Sequence, residues 1–169
     1  MQDVSQRVGA ALKSLPVPRD WLDLGVTLLV LTPMLLAIGI GGGLMTWAPR
    51  FDEAMARLAL VALLAPALGE EVLFRAALIP TRRTAPTFPW KAALVSTVLF
   101  VAWHPIQVFV FGPDWGETVL DPWFLLAVAL LGLGCARLYW KSGSIWTAVA
   151  LHWIVVVAWK ALLSGPSPW

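Results

Sequence analysis

The chain has 169 residues, of which 59% are hydrophobic and only 13% charged, with a net charge of +2 and a mean hydropathy of +0.78. An ordinary soluble domain carries about twice that charged fraction, so a water-soluble fold is excluded. The basic residues are scattered among apolar stretches without forming a stripe, which argues against nucleic-acid binding, and the single cysteine, Cys135, excludes an intrachain disulfide or a thiolate metal cluster.

In chain order, Val4, Val8, Ala11, Leu12 and Leu15 recur at helical spacing within residues 1–20. They predict a short amphipathic helix at the membrane surface or a tail, ended by Pro16 and Pro18. Asp3 precedes Arg7, and the long apolar run starts only after Asp23, so this segment does not read as a signal peptide. A first spanning helix is expected over residues 24–47, with Gly39, Gly41, Gly42 and Gly43 allowing close helix contact or a loosened last turn. Asp52 is placed to cap a second helix over 53–79, which Pro66 should kink. A basic loop over 80–89 carries Arg82 and Arg83, and a third helix over 90–111 contains Pro105.

The loop 112–121 holds Asp114, Glu117 and Asp121, which read as solvated, with a cation site as the lesser alternative. A fourth helix covers 122–139, a basic turn follows at 141–144, and a fifth helix covers 145–163. The result is an all-α, polytopic membrane helix bundle of about five transmembrane helices. It occupies 21–163 as one domain, with 164–169 as a short tail. A re-entrant second helix, leaving four crossings, is the alternative. With the N-terminus cytoplasmic, Arg7, Lys13, Arg19, Arg75, Arg82, Arg83, Lys91, Arg137 and Lys141 fall inside, against Arg50, Arg57 and Lys160 outside. That bias fits the positive-inside rule, and Trp21, Trp47, Trp90, Trp123, Trp140, Trp146 and Trp159 lie near predicted helix ends as interface anchors would.

The ionisable residues inside apolar segments are the informative exceptions, because such groups are costly in a bilayer and face an interior or a wet cavity. Glu70, Glu71 and Arg75 lie on the second predicted helix; His104 and His152, the chain's two histidines, lie on the third and fifth. Glu71 and Arg75 are four apart and can pair on one face. Glu70 is rotated by about 100° from Glu71 on an α-helix and can point elsewhere. The reading that follows gives Glu71 a structural partner and leaves Glu70 as a general base, with His104 sharing its proton or a water. His152 is then the donor to a developing oxyanion. Trp103 and Trp153 read as packing bulk, and Cys135 as a packing residue.

These residues carry a family resemblance. Glu70-Glu71-Val-Leu-Phe-Arg75 is similar to the EExxxR signature of the CAAX-protease and bacteriocin-processing family, also called the ABI family, and Phe100-Val-Ala-Trp-His104 to its FxxxH signature. Residues 141–152 resemble the approach to its third histidine. The resemblance implies a glutamate-type intramembrane endopeptidase in a bacterial cell membrane. Glu70 and His104 would activate water, Glu71 and Arg75 would support them, and His152 would bind the oxyanion, with no cofactor. It implies a membrane-anchored protein or peptide as substrate: a prenylated protein, a bacteriocin precursor or, favoured by the short chain, a C-terminal sorting tail as in the myxosortase branch. The departure is Val156, where the family commonly has Asn.

Competing readings use the same residues. A zinc peptidase would take His104, His152 and one glutamate as ligands, although HExxH is missing. A non-catalytic protein for bacteriocin immunity or scaffolding is favoured by Val156. A transporter or a haem protein would leave the two glutamates unexplained.

Overall fold

The computed structural model describes residues 3–112 and 116–165. Its helices are α1 (Val4–Lys13), α2 (Pro18–Gly41), α3 (Glu53–Ala62), α4 (Trp90–Phe111), α5 (Gly116–Leu120), α6 (Pro122–Ser142) and α7 (Trp146–Leu162). Two π-helical turns, Leu63–Glu70 and Val72–Ala76, continue α3 without a break in the chain's helical path. The described residues hold no β-strand, only one isolated bridge between Ala48 and Leu163. The protein is an all-α membrane helix bundle. By length and composition α2, α4 and α6 are able to cross a bilayer, while α7 is apolar but has 17 residues.

The first long helix starts and ends earlier than its charge-free run suggests. Pro18 supplies the preset first-turn dihedral, and the Asp20 carboxylate accepts from the Val17 N–H at 2.9 Å, so the helix begins before Arg19 and Asp23. It stops at Gly41, and Gly43 turns the chain at φ +72°. Close approach explains part of the glycine cluster: a Cβ on Gly42 would lie 2.5 Å from the Trp123 ring. Asp52 caps α3 by accepting from the Met55 N–H at 2.8 Å. Asp121 caps α6 through the Trp123 N–H at 2.7 Å, and Gly143, at φ +70°, ends that helix.

At Pro66 the expected disruption of the helix takes the form of a change of winding. Proline offers no N–H to the preceding turn, and the helix widens around it into the π-helical turn of residues 63–70. Pro105, in contrast, sits within an unbroken α4. Inside the acidic loop, Gly116–Leu120 forms the short helix α5, while Asp114 lies outside the described residues.

α6 is the central helix, packed against α2, α4 and α7. Leu31 and Leu35 of α2, Leu131, Cys135 and Leu138 of α6, and Leu151 of α7 are buried together. Their outer neighbours are apolar as well: Leu29 is 76% exposed, Val98 65% and Phe109 80%. A chain that shows large aliphatic and aromatic side chains outward on several helices is matched to lipid. In lipid, apolar surface alone does not drive helices together, so close packing and interhelical hydrogen bonds must. Gly134 supplies the packing, since a Cβ there would lie 2.6 Å from Leu31 Cδ1 and 3.2 Å from Leu151 Cδ2. Indole N–H groups supply the bonds: Trp146 to the Leu12 carbonyl at 3.0 Å, Trp153 to Ala59 at 2.7 Å and Trp140 to Ala85 at 2.8 Å.

α1 is fastened to this bundle. Ala11 is buried, the Arg7 guanidinium donates to the Ile79 carbonyl at 2.8 Å, and the Ile145 N–H donates to Ala11. Of the helically spaced apolar residues, Val8, Ala11 and Leu12 pack against the bundle, while Val4 and Leu15 are exposed. Gly134→Ile is expected to destabilise the bundle by about 1–3 kcal/mol through overpacking, seen as a lowered midpoint in a detergent unfolding titration; Gly25→Ala, where a Cβ meets open space, should leave the midpoint unchanged.

Candidate active site

The site begins where α3 winds into its π-helical turns. A π-helix bonds i to i+5, so successive residues turn through a smaller angle than in an α-helix. Glu70 closes the first π turn and Glu71 leads into the second. Their side chains therefore diverge less than an α-helical pair would, and both reach one histidine. His152 Nδ1 lies 2.9 Å from Glu71 Oε1, and its Nε2 lies 3.8 Å from Glu70 Oε2. As expected, Arg75 pairs with Glu71 and Glu70 faces the cavity instead; the shared approach of both glutamates to His152 is the feature the spacing did not indicate.

Behind Glu71 stands Arg75. Its Nε is 3.1 Å from Glu71 Oε2, and both side chains are fully buried. The guanidinium carbon sits 4.2 Å from the centroid of the Phe100 ring, and Nη2 approaches the Gly132 carbonyl at 3.4 Å. Gly132 leaves room for this arrangement: a Cβ there would crowd Phe100, Thr97 and Arg75 at 3.1, 3.3 and 3.4 Å. Arg75, Glu71 and His152 thus form a buried chain from the α4–α6 contact to the cavity. A carboxylate can only accept, so His152 Nδ1 carries the proton on that side and Nε2 is the nitrogen turned toward Glu70.

Glu70 has a second partner. The Trp103 indole N–H donates to Glu70 Oε1 at 3.1 Å, while Glu70 Oε2 makes no hydrogen bond within the described residues. Trp103, expected as packing bulk, is therefore also a hydrogen-bond partner of Glu70. The available signal was its spacing: three residues beyond Phe100, it shares the helical face that meets the site.

His104 does not bond Glu70 directly. Its Nδ1 lies 2.9 Å from the Phe100 carbonyl one turn earlier. A carbonyl accepts only, so this ring bears its proton on Nδ1 and keeps Nε2 as an acceptor. The ring is held edge-on by Phe100 and Phe124, with centroids 5.0 and 5.5 Å away.

Glu70, Trp103, His104, His152 and Val156 all line one cavity of about 590 Å³. Its other walls are mainly apolar, from Leu35, Leu58, Phe124 and Leu131, and it extends past Met45 to Lys160. The structure therefore gathers the five sequence-selected residues: three border the cavity, and Glu71 and Arg75 back them. Among the described residues, no three His, Cys, Asp or Glu side chains are grouped so as to hold a metal ion. Both histidines have already committed Nδ1 to other partners.

The arrangement can do acid–base work. Two acceptors, Glu70 Oε2 and His104 Nε2, belong to side chains bordering a single apolar cavity, and an oriented imidazole lies beside them. Replacing Arg75 with Leu leaves the Glu71 carboxylate buried without its counter-charge. The expected loss is about 3–5 kcal/mol of stability, measured as the unfolding midpoint, whereas His104→Ala, which breaks no ion pair, should shift it far less.

A family model described as Type II CAAX prenyl endopeptidase Rce1-like matches residues 52–158. No curated protein and no solved structure matches the chain.

Proposed function

From the chain's membership of the Rce1-like family of type II CAAX prenyl endopeptidases, we propose that it is a glutamate-type intramembrane endopeptidase that cuts a peptide bond beside a membrane-anchored segment. The observation that carries this reading is the convergence of Glu70, His104 and His152 on one apolar cavity. Hydrolysis needs a base for water, a donor for the oxyanion and a proton for the leaving amine.

Glu70 Oε2 and His104 Nε2 accept the two hydrogens of a water in the cavity. Glu70 removes one proton as the water oxygen attacks the scissile carbonyl. The Trp103 indole keeps the other carboxylate oxygen fixed during this step. Negative charge gathers on the carbonyl oxygen, and His152 meets it through Nε2–H. That donation requires the doubly protonated ring, since Nδ1 already donates to Glu71; the Glu71 and Glu70 carboxylates offset its charge. Collapse of the tetrahedral intermediate breaks the C–N bond, and the proton held by Glu70 passes to the leaving amine. Water is consumed, and a new carboxyl and a new amine are released.

Val156 also lines the cavity, one turn beyond His152. It offers no hydrogen to the oxyanion, so in this mechanism His152 bears that duty without an amide at this position. A zinc peptidase would use the same histidines through Nε2, since Nδ1 of each is engaged by a carbonyl or a carboxylate as in many metal-bound histidines; the chelator experiment below separates it from the metal-free mechanism.

The position of the cavity supports an exported, membrane-tailed substrate in a bacterial inner membrane. It is bordered by Gly39 near the end of α2, Met45 just beyond it, Leu58 of α3, Val119 of α5 and Lys160 near the end of α7. The positive-inside orientation puts that end outside. A C-terminal sorting tail presents its cleavable bond there.

Co-expression with tailed substrates tests the proposal. Glu70→Gln is expected to reduce cleavage by at least about a thousandfold, while Trp103→Phe, which deletes one charge-assisted hydrogen bond, lowers kcat roughly tenfold or more with little change in KM. Undiminished cleavage by Glu70→Gln, or loss with a chelator and recovery with zinc, would refute the mechanism.

A further inference from the structure

A second cavity lies at the opposite end of the bundle and is unrelated to the catalytic residues. It has a volume of about 660 Å³ and is enclosed by α1, the loop after α3 and the C-terminal end of α6. Four of its lining side chains are cationic, Arg7, Arg82, Arg83 and Lys141, and none is a carboxylate. Of these, Lys141 is paired, with Nζ 2.5 Å from Asp23. The three arginines have no carboxylate partner among the described residues. Arg7 reaches the Ile79 carbonyl, which takes up a hydrogen bond but no charge. Arg82 lies over the Trp140 ring at 5.7 Å.

The concavity is built as well as charged. The Arg82 N–H donates to the Trp140 carbonyl at 2.8 Å, the Trp140 indole returns to Ala85, and the Thr84 hydroxyl closes the loop onto Thr81 at 3.0 Å. Thr81 and Ser14 also line the hollow and add hydroxyl donors. The apolar flank is on the same end: Leu15, just after α1, is 77% exposed and Trp90 is 62% exposed. A ligand here must therefore join a compact anion to an apolar body. A free anion would satisfy only the first requirement.

We propose that this cavity binds the phosphate of an anionic glycerophospholipid, with Arg7, Arg82 and Arg83 around the phosphate and the acyl chains running along the adjacent bundle surface. Guanidinium groups suit phosphate oxygens through paired N–H donors. Basic hollows at the positive side of a bundle meet the leaflet whose surface potential is negative.

Native mass spectrometry of the full-length, detergent-purified protein tests this, with phosphatidylglycerol and phosphatidylcholine of identical chains as probes. Phosphatidylglycerol should bind at least tenfold more tightly than phosphatidylcholine. The double substitution Arg82→Ala/Arg83→Ala should weaken phosphatidylglycerol binding roughly tenfold or more, and Arg82→Lys/Arg83→Lys, which keeps the charge without the paired donors, should recover only part of it. Arg50→Ala/Arg57→Ala, at the other end, should leave it unchanged. Equal affinity for the two lipids overturns the proposal even if the alanine variant fails to fold. So does equal weakening by the two alanine pairs, or displacement of phosphatidylglycerol by inorganic phosphate at low millimolar concentration, which would identify a free-anion site.

Discussion

Arg75 is a fully buried cation in a bundle whose outer surface is matched to lipid, and its position constrains everything around the candidate site. Its charge is met by Glu71 at 3.1 Å, its face by the Phe100 ring and one of its nitrogens by the Gly132 carbonyl. Each neighbour comes from a different place: the π-helical continuation of α3, the middle of α4 and the middle of α6. An uncompensated charge here is far more costly than a lost apolar contact. The three segments are therefore held in one register, and His152 is oriented because Glu71 has a second oxygen to offer it.

The π-helical winding gives this pair its chemical consequence. A regular α-helix would send Glu70 and Glu71 in directions about 100° apart. Wider winding through residues 63–70, where Pro66 removes a backbone donor, lets the two carboxylates approach opposite nitrogens of one imidazole. One glutamate is tied to the structural chain. The other keeps an oxygen without a hydrogen bond on the cavity wall. The same local irregularity thus leaves one acid in a buried ion pair and the other on the cavity wall. Trp103 adds to that separation by fixing the remaining oxygen of Glu70.

Much of this was legible in the sequence because membrane burial makes charge scarce. Four ionisable residues within apolar runs, together with Arg75, could be singled out by position alone, and the four-residue spacing of Glu71 and Arg75 was enough to pair them. What could not be read were directions that depend on winding and on rotamer. The shared approach of Glu70 and Glu71 to His152 follows from a π-helical turn, and periodicity rules assume an α-helical one. His104's bond to the Phe100 carbonyl is a local choice that competes with any longer reach to Glu70. The start of α2 was missed because Arg19, Asp20 and Asp23 interrupt the apolar run, although Pro18 and Asp20 together form a helix-start signal. Trp103 was read as bulk because its indole N–H is informative only once a carboxylate is known to lie 3.1 Å away.

The two ends of the molecule carry different chemistry, and this division follows from how charge is distributed along the chain. Cationic side chains gather around α1, the loop after α3 and the end of α6, while the cavity lined by Glu70, His104 and His152 extends toward the ends of α2 and α7. Between them runs the Arg75–Glu71–His152 chain, on which the account of the site depends. The direct test is ¹⁵N NMR of the His152 ring in selectively labelled protein. The account predicts a proton on Nδ1 in the resting protein, hydrogen-bonded to Glu71 and lost as a distinct signal when Glu71 is replaced by Leu. A neutral ring protonated only on Nε2, with Nδ1 bare, would contradict it.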